Sequence, residues 1–336
     1  MTFSEVLRAH AAWYPEMREG DFLKLCYQHA LGCGHLVKDE AEAVRRIRAE
    51  RAPGEEGVSF EPIGNGLVRM HLKGMDARFS DEIAARMFMY TAETFHPAPD
   101  ALESALQTLA ETFPTDAMRA AIAAYRAEGC PMVSHTEAYR RAYAPAYRVV
   151  SERFARYAAI FEAAARLPEG AIFALDGMCA SGKTSLSNAL GFVFRAPVFH
   201  MDDFFLPAEK RTKERLSEVG GNVDRERFRE EVLAPLAAGR TVSYRRFDCG
   251  TMTILPPVEI KPGRLNIVEG AYACHPELRT YYARTACLTV PPEEQLRRIR
   301  ARDGEEMLER FRTMWIPMEN RYLEADRIRE QADFVY

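Results

Sequence analysis

Along the first half of the chain, apolar residues recur three and four positions apart among Ala, Glu and Arg, as at Ile83, Met87 and Tyr90 or Leu102, Leu106 and Leu109. That spacing lines one face of a helix, so the stretch from Phe3 to about Leu167 is predicted to be mostly helical. One interruption stands out between Val58 and Leu72. There Phe60 and Ile63 precede Gly64-Asn65-Gly66, and Leu67, Val68 and Met70 follow. Asn-Gly between β-type runs predicts a small two-stranded hairpin. From Tyr147 to Leu167, Val150, Phe154, Tyr157 and Phe161 form one stripe of a long amphipathic segment that joins the halves, ended by Pro168-Glu169-Gly170.

Beyond Gly170 the pattern changes to short apolar runs at Ile172–Leu175, Val198–Met201, Leu265–Val268, Ala286–Val290 and Asp333–Tyr336, with helical spacing between most of them. Strand and helix in alternation predict the α/β class, a five-stranded parallel sheet flanked by helices. A chain of 336 residues is about twice a usual domain, and the change of pattern divides it into residues 1–148, a mostly α-helical domain with a small β-hairpin, and residues 149–336. In such a sheet, ligands gather at the carboxyl ends of the strands.

Composition adds little to this division but narrows the setting. With 47% hydrophobic and 28% charged residues the chain reads as an ordinary globular protein, and a net charge of −4 argues against broad nucleic-acid binding. Arg8, His10, Glu16 and Arg18 interrupt any signal-peptide core, and no run of about 18 apolar residues suggests a membrane span. Seven cysteines without regular spacing fit reduced thiols, so a cytoplasmic protein is expected. Self-association is left open.

The run Ala171 to Asp176 leads into Gly177, Met178, Cys179, Ala180, Ser181, Gly182, Lys183 and Thr184, a complete G-x-x-x-x-G-K-T phosphate loop, with a helix expected from Ser185 onward. Gly177 and Gly182 allow the backbone to curl so that its N–H groups face phosphate oxygens. Lys183 reaches the β and γ phosphates, Thr184 offers a hydroxyl to Mg²⁺, and the helix directs its positive end at the same anion. ATP and Mg²⁺ are therefore the expected cofactors. Cys179 within the loop is either a small packing side chain or a thiol activated by Lys183.

Two other strand ends carry acid: Met201-Asp202-Asp203-Phe204-Phe205 and Val268-Glu269-Gly270. Together with Thr184 they supply the hard oxygen donors that Mg²⁺ prefers, and one carboxylate could accept a proton from an attacking hydroxyl. After the fourth strand, Arg297, Arg298, Arg300 and Arg302 crowd one segment, where guanidinium groups on a cover would offset the charge of a transferring phosphoryl group.

These ordered motifs, with Asn222-Val223-Asp224, Arg246-Phe247-Asp248 and Arg300-Ala301-Arg302-Asp303, make residues 170–336 resemble the uridine kinase and phosphoribulokinase family of P-loop kinases. The resemblance implies that Asp202 is the catalytic base, that Glu269 and Thr184 belong to the Mg²⁺ shell with Asp202 nearby, and that Asp224 holds sugar hydroxyls. It assigns Arg298, Arg300 and Arg302 to a lid, beside Lys183 as catalytic cations. Phe205, Arg246, Phe247 and Asp248 fall in the acceptor region. Two departures weaken the link to a pyrimidine nucleoside: Phe247-Asp248 is followed by Cys249-Gly250-Thr251-Met252 with no base-reading histidine, and Phe205 replaces a tyrosine.

The expected activity is transfer of the γ-phosphoryl group of ATP to a hydroxyl of a small metabolite, a nucleoside or another sugar-containing compound. Tyr244, Arg245 and Arg246 could instead face a phosphorylated or acidic acceptor. The rival is a nucleotide-responsive P-loop regulator or ATPase with the first domain as effector. That domain carries Cys26, His29, Cys33 and His35, either a metal site or a helix end closed by glycine.

Overall fold

A computed structural model describes residues 1–34, 39–51, 59–75 and 79–336. The chain divides into two compact units, Met1–Glu162 and Ala163–Tyr336, the division falling inside the helix Ala158–Arg166.

The first unit is mostly helical, and short polar residues start its helices. The hydroxyls of Thr2, Ser80, Thr115 and Thr136 and the carboxylate of Asp39 accept from first-turn amides of helices Phe3–Trp13, Asp81–Thr94, Asp116–Ala127, Glu137–Tyr143 and Glu40–Glu50. The hairpin pairs β1 (Phe60–Gly64) with β2 (Leu67–His71). Asn65 and Gly66 both have positive φ, 54° and 71°, as a two-residue hairpin turn requires. Val58, the start of the expected hairpin stretch, lies outside the described residues.

The joining segment departs from the sequence reading. Tyr147–Ser151 is a strand, β3, antiparallel to β2 with Val68 opposite Val150. Ser151 then caps the short helix Glu152–Arg156, and a second helix runs over Ala158–Arg166. The stripe residues Val150, Phe154, Tyr157 and Phe161 are buried as expected, but through a strand and two helices. Val149-Val150 is β-branched and gains a ladder partner in β2, which outweighs helical spacing over so few residues.

Within this unit a polar network is buried. Arg69, 1% exposed, donates to Glu61 Oε1 at 2.9 Å and to Gln28 Oε1 at 3.0 and 2.8 Å, with its guanidinium 4.7 Å from the centre of the Tyr147 ring. Glu61 also accepts from Tyr14 and pairs with His71 at 3.3 Å. Burial alone would raise the Glu61 carboxyl, but the His71 hydrogen bond and the Arg69 charge outweigh it and hold it at about 2. His10 and His135 go the other way. Burial, then the Arg69 charge, lowers each to about 4, so both are neutral at pH 7.

All three shifts point to acid lability. The depressed Glu61 contributes stability above its unfolded value near 4.5 and loses it as pH falls through about 2. The histidines contribute fully above 6.5 and lose it as pH falls through about 4. A shift of this size on one group is worth on the order of 3 kcal/mol. Hydrogen exchange between pH 7 and 3 is expected to show progressive loss of protection in β1 and β2. Uniform protection across that range would contradict the burial of these groups.

The second unit has the expected parallel sheet in the order β10-β9-β4-β8-β5, with β4 (Ala171–Gly177) at its centre between β8 (Leu265–Glu269) and β9 (Arg284–Leu288), and β5 (Val198–His200) and β10 (Phe334–Val335) at the edges. The runs Phe173-Ala174-Leu175 and Ile267-Val268 are wholly buried, as a sheet covered on both faces demands. Between β5 and β8 the chain forms an antiparallel hairpin that periodicity did not announce, β6 (Val242–Asp248) with β7 (Thr253–Ile260). No helix among the described residues is long and apolar enough to cross a membrane.

Candidate active site

The phosphate loop leaves the central strand β4 and enters the helix Lys183–Phe194. Gly177 (φ 127°) is where the turn needs glycine: a Cβ there would lie 2.0 Å from the Leu288 carbonyl oxygen on β9. Asp176 braces the same corner from beneath, accepting from the Gly177 and Cys274 amides at 2.6 and 2.7 Å and from the Tyr322 hydroxyl at 2.6 Å. Lys183 is buried, its ammonium donating to the Gly177 and Met178 carbonyls at 3.0 and 2.8 Å. The lysine thus lies folded along the glycine loop itself.

Parallel register carries the acidic strand ends to this loop. Glu269 stands opposite Leu175 of β4 and His200 of β5. Its buried carboxylate lies 3.3 and 3.4 Å from the Thr184 hydroxyl and 2.6 Å from His200 Nδ1. The hydrogen bond to Glu269 is the main reason the His200 imidazole is raised above its ordinary value. Asp202 follows in the one-turn helix Met201–Phe204. It is open to solvent yet crowded by protein, and its carboxyl is raised by lost hydration and then by the Glu269 charge, with Lys183 pulling the other way. Asp202, Glu269 and Lys183 therefore act on one another electrostatically, and Thr184 meets Glu269 directly.

The arginines divide. The helix Pro292–Arg310 breaks at Gly304 (φ 81°, ψ 178°) and passes through a widened turn, Phe311–Trp315, into the helix Ile316–Ala325. Arg298 donates to the Ala180 carbonyl at 3.0 Å, inside the phosphate loop. Arg302 pairs with Asp303, lies near Phe311 and feels the Asp202 charge. Arg300 pairs with Glu305 on the exposed face and is not brought to the loop.

The expected acceptor residues are near one another but mostly engaged. Asp224, 1% exposed, caps the helix Arg225–Phe228 and pairs with Lys210 at 2.8 Å and Arg227 at 3.5 Å. Phe205 bridges to Val223, and Phe247 is buried beneath the Arg211 guanidinium. Asp248 accepts from the Gly250 amide at 2.7 Å as a turn residue, while Arg246 is exposed and its charge acts on Asp203. Tyr244 donates to Asp203 at 3.2 Å.

Three participants escaped the sequence reading. His200 occupies Glu269. Gln295 donates to the Cys179 carbonyl at 3.0 Å. Glu319, 7% exposed and raised by burial, accepts from the Cys179 amide at 2.7 Å, so a carboxylate sits on a phosphate-loop N–H. Only the position of His200 one residue before Met201-Asp202 hinted at its place. Burial, first of all, raises the Cys179 thiol to about 12, which leaves it a packing group.

Of the cysteine and histidine group of the first unit, Cys26, His29 and Cys33 each turn to a separate backbone carbonyl. Cys26 Sγ faces the Ala105 carbonyl, Cys33 Sγ that of Phe88, and His29 bonds the Ile63 carbonyl at 2.8 Å and stacks on Phe3. The helix Glu19–Leu31 ends at Gly32, and His35 lies outside the described residues. Among the described residues no three His, Cys, Asp or Glu side chains form a group able to hold a metal ion.

No family model and no curated protein matches the chain. Among solved structures it is similar to a possible uridine kinase from Bacillus stearothermophilus (23% identity, 51% of this chain and 90% of that one, TM-score 0.40). It is also similar to a candidate fructose transport system kinase from Silicibacter sp. TM1040 (25% identity, 51% and 91%, TM-score 0.43). A third is the shikimate kinase of Bacteroides thetaiotaomicron (18% identity, 49% and 85%, TM-score 0.27).

Proposed function

We propose that the second unit is an ATP- and Mg²⁺-dependent kinase that phosphorylates a hydroxyl of a small metabolite. The observation that carries this reading is that the Glu269 carboxylate reaches both Thr184 of the glycine loop and His200, two residues before Asp202, which sets two acidic strand ends at the loop, more than the holding of nucleotide alone would need.

The residues fit the metal. The Thr184 hydroxyl and the Glu269 carboxylate are hard oxygen donors already facing each other, and a bound Mg²⁺ would neutralise charge on the phosphate oxygens. Loop amides and Lys183 hold the polyphosphate of ATP. Lys183 leaves the two carbonyls it now contacts, and Glu319 gives up the Cys179 amide. Asp202 would orient the acceptor hydroxyl and take its proton as that oxygen bonds to the γ phosphorus and the bond from this phosphorus to the bridging oxygen breaks, releasing ADP, a role that suits a carboxyl raised above its ordinary value. Arg298 and Arg302 offset charge on the equatorial oxygens.

For the acceptor, a nucleoside or another sugar-containing metabolite is the leading reading, with Asp224, Phe205 and Phe247 beside it. The pairing of Lys210 with Asp224 and the exposure of Arg246 favour a phosphorylated sugar as the second reading, because both cations could meet a phosphate. ADP formation by the full chain with ATP and Mg²⁺, across nucleosides and sugar phosphates, tests all of this. Stimulation by an acceptor is expected. Hydrolysis at one rate whatever is added would overturn the kinase and favour the nucleotide-responsive regulator.

A further inference from the structure

The first unit holds a cavity of about 260 Å³ that opens to solvent and has room for a small metabolite. Its inner wall joins the apolar Cys33, Phe88 and Val149 to Lys24, Gln28, His135 and Tyr147. The polar groups among these are held in place before any ligand arrives. Asp21 accepts from His135 Nδ1 at 2.9 Å, and Thr136 donates to the same carboxylate through its amide and its hydroxyl. A neutral imidazole that donates from Nδ1 presents a bare Nε2, so at 2.7 Å the Tyr147 hydroxyl donates to it. Gln28 donates to the same hydroxyl at 3.1 Å, while its own oxygen is taken by Arg69.

Among the described residues the lining is formally neutral, with Lys24, Arg46 and Arg148 against Asp39, Glu42 and Glu50. Its charges are not matched evenly. Arg46 pairs with Glu42 and Arg148 with Glu50 toward the rim, and Asp39 caps the helix Glu40–Glu50. Lys24 has no carboxylate within ion-pair range among the described residues, and its ammonium donates to the Val133 carbonyl at 3.0 Å. Burial, then the charge of Arg69, lowers it to about 8. Asp21 acts on this ammonium only from further off, and the Arg69 guanidinium is taken up by Glu61, so an anionic group in the cavity would give Lys24 the direct partner that it lacks among the described residues.

We propose that this cavity binds a small organic anion, its carboxylate or phosphate group set against Lys24 near Tyr147 and its apolar body against Phe88 and Val149. The first unit is then a metabolite-binding module with its own ligand.

Titration calorimetry on the full chain with benzoate, phenyl phosphate, citrate and inorganic phosphate tests this, with Lys183→Ala as the background so that phosphates on the glycine loop do not contribute. At least one probe is expected to bind in one-to-one ratio. Lys24→Met should weaken it tenfold or more, Lys24→Arg should recover part of the loss, and neutral benzamide should bind at least tenfold more weakly than benzoate. The benzoate and phenyl phosphate arms tell which head group the cavity takes. In the unaltered protein the bound probe should also shield Lys24 from reductive methylation, a readout that needs no variant. No binding at millimolar concentration, or equal binding by benzoate and benzamide, would overturn the proposal. Undiminished binding to a folded Lys24→Met protein, or methylation of Lys24 at an unchanged rate, would do the same.

Discussion

Asp202→Asn is expected to lower turnover by about a hundredfold or more while leaving the affinity for ATP nearly unchanged. The amide keeps the shape of the side chain and loses its ability to take a proton, so the loss belongs to the chemical step. Because the proposed grip on the nucleotide rests on Lys183, Thr184 and the loop amides, and Asp202 makes no hydrogen bond to them among the described residues, binding should survive. Single-turnover phosphorylation beside equilibrium binding of ATP separates the two effects. The Asn variant also removes a negative charge next to Glu269, which by itself would ease binding of a polyanion. Turnover equal to that of the unaltered protein would remove Asp202 from the proposed mechanism, and a parallel loss of ATP affinity would make it a nucleotide-site residue instead.

The largest effect on stability is expected from Arg69→Met in the first unit. Breaking a buried ion pair by removing one partner costs about 3–5 kcal/mol, since the other partner is left charged and out of water. Here Glu61 would lose the guanidinium bonded at 2.9 Å and Gln28 Oε1 would lose both of its donors. Met fills similar volume, so most of the cost is polar rather than a cavity. Arg69→Lys should recover little, because a single ammonium cannot serve Glu61 and Gln28 with the geometry of a planar fork. The double variant Arg69→Met with Glu61→Gln should be less damaging than the sum of the singles, as the stranded charge is gone. Urea unfolding with hydrogen exchange in β1 and β2 measures this. A loss below about 1 kcal/mol would mean that water reaches the pair.

Much of the second unit was legible in advance. The glycine loop is a contiguous motif, and its strand and helix flanks have short-range signatures, so all five sheet strands fell within a few residues of their observed positions. Asp202 and Glu269 could be marked because parallel strands place their carboxyl ends on one edge. The arginine segment could be marked for density but not for direction. Only a helix broken at Gly304 decides that Arg298 turns to the Ala180 carbonyl while Arg300 faces Glu305.

By itself, the sequence determined the alternation of strand and helix, the site of the phosphate loop and the acids at its rim, because each depends on residues close together in the chain. Tertiary structure decided the rest: the third strand at Tyr147–Ser151, Glu319 on the Cys179 amide, and the cavity wall that draws Lys24, His135 and Tyr147 together. Those features join residues far apart in sequence, and such contacts form only when distant segments pack. Desolvation then sets their charge states, a quantity that no local pattern of side chains encodes.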